Sequence, residues 1–152
     1  MSEAAGDTRA GGMAVSGAAA GERERSSPTG TVRVRVTDGP LVGPVLRRTV
    51  SIVLARADWP LDGLDDALLV CDALSAHAPA HSLSGWVALS VEANEREAEL
   101  RVGELTCEGA AQLVRDSTLP VAGNVLEGIA ERVSVEPMDG EGSQLVLVLS
   151  CG

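Results

Sequence analysis

Asp65, Leu69, Asp72 and Ala76 succeed one another at intervals of four, three and four residues, the spacing of one face of an α-helix. A carboxylate on such a face can take up a proton or face a cation, and the residue one turn later is too small to obstruct it. This face is the candidate site. Read by itself, Asp72 is more often an ordinary solvated helix carboxylate than a base. Other chemistry-bearing residues are scattered. His77 and His81 flank Pro79 without a second cluster of ligands, so metal binding is not expected there. Cys71, Cys107 and Cys151 are an odd number without close metal-ligand spacing. Cys71 reads as a small core residue, whereas Cys107, in a polar stretch, is the candidate reactive thiol, with no neighbouring His or Lys to lower its pKa. Asn124, next to Gly123, has the residue type of a helix N-cap.

The element that must position Asp72 runs from Pro60 to Ala78. Leu61, Leu64, Leu68, Cys71 and Leu74 recur every three or four residues and predict an apolar stripe, while Asp62, Asp65 and Asp66 suit the positive end of the helix dipole. Pro79 is expected to end this helix. Upstream, Thr31 to Thr37 alternates strictly, with Val32, Val34 and Val36 on one face and Arg33 and Arg35 on the other, which predicts a half-exposed strand. Leu41 to Trp59 reads as a helix with Val45, Leu46, Thr49, Ile52, Val53 and Arg56 at helical spacings. The Arg47-Arg48 pair lies off that stripe as a positive spot for a partner. Trp86–Val91 and Ala98–Val102 predict a hairpin, followed by an irregular loop over 103–109 and a short helix through Ala110, Leu113 and Val114. A loop over 116–124, a helix over 123–132 and a final hairpin of Val133–Glu136 with Gln144–Leu149 complete the reading. Strands paired between helices predict an α/β two-layer sandwich, a mostly antiparallel mixed sheet covered on one face by helices.

Composition narrows the function classes. The 152 residues, 45% of them hydrophobic, suit one domain plus a tail. Residues 1–29 are rich in Ala, Gly, Ser, Glu and Arg and nearly free of large apolar side chains, so they read as a disordered tail ahead of a domain over 30–152, with Met13 an alternative start to Met1. No apolar run approaches the roughly 20 residues of a membrane span. The net charge is −10 and lysine is absent, which argues against direct nucleic-acid binding. Without an apolar secretory core at the start, a cytoplasmic protein is expected.

This order, with a long helix ahead of a loop-rich second half, resembles the histidine-kinase-like (GHKL) ATPase superfamily over about residues 31–150, and within it the bacterial anti-sigma-factor serine kinases. In that family a helix bears Glu-x-x-x-Asn. The counterpart here is Leu64–Ala78, with Asp72 where the general-base carboxylate stands and Ala76 where the magnesium-binding asparagine stands. The Asp-x-Gly-x-Gly motif that contacts adenine is matched by Val102–Gly109, with Glu104 in the aspartate's place, Gly109 at the end, and Thr106 and Glu108 where glycines are expected. The phosphate-cradling Gly-x-Gly-Leu helix start is similar to Gly123-Asn124-Val125-Leu126, its second glycine replaced by Val125. The resemblance thus implies a degenerate nucleotide site: Asp72 at the catalytic position, Glu104, Gly109, Gly123 and Asn124 at cofactor-binding positions, and no metal ligand at Ala76. No cofactor is expected, ATP and Mg2+ being those a retained pocket would use.

The function expected is that of an anti-sigma-factor-like regulator binding a sigma factor or an anti-anti-sigma antagonist, without turnover. Homodimer formation is a further expectation from the family. An active serine kinase of the antagonist and a non-catalytic interaction module of another signalling system are the alternatives.

Overall fold

In a computed structural model, residues 30–151 are described; the tail expected over 1–29 lies outside them. Five strands form one sheet in the order β1 (Thr31–Thr37), β2 (Trp86–Ala93), β3 (Glu97–Thr106), β7 (Gly142–Ser150) and β6 (Arg132–Pro137), every neighbouring pair antiparallel. Helices α1 (Val42–Arg56), α2 (Leu61–His77), α3 (Gly109–Asp116) and α4 (Val125–Ile129) supply the second layer. A two-residue ribbon, β4 (Thr118–Leu119) with β5 (Gly123–Asn124), lies between α3 and α4. The molecule is the α/β two-layer sandwich that the alternation of paired strands and helices predicts.

The pleat sorts the two faces. Val34, Leu89, Val102, Leu145 and Val135 form one row across all five strands, with Leu89, Val102 and Leu145 buried. The next row, Arg33, Ser90, Arg101, Val146 and Ser134, lies on the opposite face. Against the first face pack Leu46, Val50, Val53 and Leu54 of α1 and Ala67, Val70, Cys71 and Leu74 of α2. With no Phe or Tyr in the chain, the core rests on aliphatic burial, about 1.5–3 kcal/mol for each fully buried Leu or Val.

Local features explain the boundaries. Pro44 sits in the first turn of α1, where its missing N–H costs little. The Trp59 indole donates to the Asn94 carbonyl at 2.8 Å, tying the α1–α2 junction to the β2–β3 turn. Gly63 leaves room for that ring, since a Cβ there would lie 2.9 Å from it.

Four expectations need correction. Of the stripe expected on α2, Cys71 and Leu74 are buried and Leu64 packs partly buried against the core, but Leu61 at the helix start is 69% exposed, and Ala67 and Val70 complete the buried face. In α1, Ile52 is likewise exposed while Val50 and Leu54 are buried. The stretch 103–106 continues β3 through a bulge between Val102 and Leu105, where Glu104 takes φ 57°; that break in alternation is what reads as a loop. The last helix is five residues long, because the chain is already extended at Ala130 and Glu131 N–H joins the Val148 carbonyl of the sheet.

Candidate functional site

A cavity of about 530 Å3 opens between α2, the β4–β5 ribbon and α4. From α2 come Leu69, Asp72, Ala73, Ala76 and His77, one face at spacings of three and four; from the other wall come Ser117, Leu119, Ala122, Asn124, Val125, Gly128 and Ile129. The structure therefore places Asp72, Ala76, Asn124 and Val125 around one space, although some 50 residues separate the two helices.

Glu104 and Gly109 are elsewhere. The Glu104 carboxylate receives the Arg35 guanidinium at 2.5 and 2.8 Å and the Ser84 hydroxyl at 2.5 Å. Arg35 belongs to the sheet face away from the helices. Hydrogen bonding from Arg35, assisted by Ser84, holds the Glu104 pKa below the usual carboxylate range. Gly109 starts α3 in a crowded place, where a Cβ would meet the Thr106 Oγ1 at 2.8 Å and the His81 carbonyl at 3.0 Å. Its small size thus serves packing. Gly123 adjoins Asn124 in the ribbon with φ 79°, a conformation suited to glycine.

The polar groups of the cavity are mostly engaged by the fold. Asn124 accepts from Glu127 N–H at 2.9 Å as the α4 N-cap, and its amide donates to the Val114 carbonyl at 2.6 Å and to Thr118 Oγ1 at 3.0 Å. Ser117 donates to the Leu113 carbonyl. Asp72 Oδ1 accepts from Arg47 of α1 at 2.7 Å. Behind this wall, burial pushes the Cys71 thiol up to about 12, helped by the neighbouring Asp72 charge, which leaves it inert at neutral pH.

This set offers few groups to ATP–magnesium. The lining is predominantly aliphatic and, among the described residues, includes no arginine to meet phosphate. Ala76 offers no oxygen to a hard cation, and Val125 occupies the first position of a helix too short to provide a phosphate site of its own. No group of three or more His, Cys, Asp or Glu able to hold a metal occurs among the described residues.

His77, Ala73 and Ile129 were not singled out from the sequence as site residues, although the first two extend the face of Leu69, Asp72 and Ala76, and Ile129 lies one turn after Val125. Ser117, Leu119 and Ala122 carry no periodic signal, since the ribbon that presents them has only two residues per strand.

No protein-family model matches the chain, and no curated protein matches it. Among solved structures, a chain in the crystal structure of the SiaB–SiaC complex from Pseudomonas aeruginosa is similar at a TM-score of 0.48 and 9% identity, over 85% of this chain and 92% of that one. Likeness at this level carries no argument about function. Among the described residues no helix is long and apolar enough to cross a membrane.

Proposed function

We propose that this protein is a non-catalytic regulator that works by binding another protein, in the manner of an anti-sigma factor whose nucleotide site has been lost. The observation that supports this reading is the cavity between α2 and α4. It gathers Asp72, Ala76, Asn124 and Val125, to which the resemblance assigns nucleotide-site positions, yet it is walled by Leu69, Ala73, Leu119, Val125 and Ile129, and the Asp72 carboxylate is paired with Arg47. Exposed aliphatic side chains at and beside its rim, Leu69 at 52%, Leu119 at 48% and Val121 at 99%, are more typical of contact with a protein than of an enzyme pocket. The partner class proposed is a sigma factor or its antagonist, and the partner assignment follows the family resemblance alone.

Calorimetric titration of the full chain with ATP and magnesium tests the reading. No heat of binding below the millimolar range is expected. A dissociation constant in the low micromolar range would overturn the proposal and restore the serine-kinase alternative. Affinity measurement against purified sigma factors and antagonists of the source cell then tests the partner class, and failure of all of them leaves an interaction module of another signalling system.

A further inference from the structure

Among the described residues strand β1 pairs with β2 alone, which leaves its outer edge open along Thr31–Thr37, and no proline interrupts it. The other edge of the sheet, β6, ends in Pro137 and carries Glu136, which receives Arg101 from β3 and Gln144 from the adjacent β7. Charges and proline are the usual protection of a sheet edge; β1 carries only Arg33 and Arg35, and both project from the same face.

On the helix side a groove runs beside the β1 edge. One hollow of about 200 Å3 is lined by Val32, Val45, Thr49, Ile52, Val53 and Arg48. A second, of about 190 Å3, shares Val32 and Val53 with it and adds Arg56. Ile52 is 47% exposed at its wall. On the opposite side of the sheet Arg33 borders a shallow hollow floored by Ala88, Ser90 and Gly103. Arg33, Arg48 and Arg56 enter no ion pair among the described residues. A protein of net charge −10 thus places three cations without an ion pair among the described residues around one strand edge and an apolar groove.

We infer that the β1 edge takes up an extended segment of a partner protein in which aliphatic and acidic residues alternate. Such a segment would add a sixth strand, its backbone pairing with the outward N–H and C=O groups of β1. Its aliphatic side chains would lie on the helix side over Val32, Ile52 and Val53, and its carboxylates would face Arg33 on the other side of the sheet, while Arg48 and Arg56 would attract acidic residues that flank the extended segment. A second copy of this chain is a poor occupant. In every antiparallel β1–β1 register centred on Arg33, Val34 or Arg35, an arginine stands opposite an arginine on the same face, a juxtaposition that disfavours pairing. The inference deepens the proposed function by naming a surface and the chemistry of its partner, and rests on it only in taking the partner to be a protein.

The test is amide hydrogen exchange of the full chain with two synthetic probes as long as β1, one alternating valine and glutamate, the other valine and lysine. The glutamate probe is expected to slow exchange of the outward β1 amides roughly tenfold, less so as salt is raised, while the lysine probe leaves them unchanged. In the variant Arg33→Glu the preference should invert, a result that misfolding cannot produce. Equal protection by both probes, or by neither, overturns the inference. So does protection of these amides before any probe is added: sedimentation then assigns it to a second copy if a dimer is found, and to residues 1–29 if the chain is monomeric. These readouts are independent of ATP titration, so the failure of one reading is distinguishable from failure of the other.

Discussion

Arg47 Nη1 and Asp72 Oδ1 stand 2.7 Å apart across the seam between α1 and α2, with both side chains about half exposed. The Arg47-Arg48 doublet is therefore not a uniform positive spot. Arg47 is engaged by Asp72, and Arg48 faces the groove beside β1. An exposed pair of this kind contributes up to about 1 kcal/mol. Asp72→Asn is expected to shift the urea-unfolding free energy by no more than that. A loss well above 2 kcal/mol would show that the carboxylate is more deeply engaged than its exposure indicates.

The cavity can be turned toward nucleotide. Ala76→Asn supplies the missing oxygen and Val125→Gly clears the start of α4. Together they are expected to raise ATP–magnesium affinity roughly ten- to a hundredfold, on the scale of hydrogen bonds to charged groups. Calorimetry on the double variant checks this, and unchanged affinity would mean that Asp72 and Ala76 do not hold the positions that the family resemblance assigns them.

Acid sensitivity should include a contribution from Glu104. Its folded pKa lies below the unfolded value because Arg35, and secondarily Ser84, stabilise the carboxylate. The unfolded chain therefore binds the proton first as pH falls. The stabilisation is full above roughly pH 4.3 and is lost as pH drops through the folded pKa. Glu104→Gln is expected to be less stable than the parent at neutral pH, with the gap closing below about pH 4; a gap independent of pH in urea titrations would remove Glu104 from the account.

The cysteines should differ sharply in reactivity. Cys71 is fully buried, its thiol pushed up to about 12, while Cys107 is exposed. Iodoacetamide at about pH 8 is expected to label Cys107 and spare Cys71 until the protein is unfolded. Mass spectrometry of tryptic peptides reads the outcome, and early labelling of Cys71 would indicate opening of the α1–α2 seam.

Two glycine-to-alanine changes should have different effects. At Gly109 the helix-propensity gain of up to about 1 kcal/mol is outweighed by contact with the His81 carbonyl at 3.0 Å and Leu105 Cβ at 3.1 Å, giving a net loss of about 1–2 kcal/mol. At Gly128 a Cβ meets nothing within 4 Å, and the substitution is expected to be neutral or stabilising. Denaturant midpoints of the two variants decide the matter.

Elements with long, regular patterns were legible in the sequence. The alternation of Thr31–Thr37, the helical spacing of Asp72 and Ala76 and the closing hairpin all appear where the residues place them. Two kinds of information were not legible. Which face of α2 is inward depends on what it packs against: Cys71 and Leu74 of the expected stripe are buried, but so are Ala67 and Val70, while Leu61 is exposed. Glu104 shows the second kind: its role follows from a bulge and from Arg35, 69 residues earlier, neither of which leaves a periodic trace. The cavity lies between these extremes, its α2 wall visible as a helical face and its ribbon wall visible only in three dimensions.

The Arg35 guanidinium lies 4.3 Å above the centre of the Trp86 ring. The chain has two tryptophans and no tyrosine, so ultraviolet emission comes from Trp59, sealed at the α1–α2 junction, and from Trp86, beneath a cation of the open strand. The protein thus has two built-in optical reporters at different places. Trp59 emission shifts when the core opens, whereas displacement of Arg35 alters Trp86 alone, and a single phenylalanine replacement at either site separates the two signals.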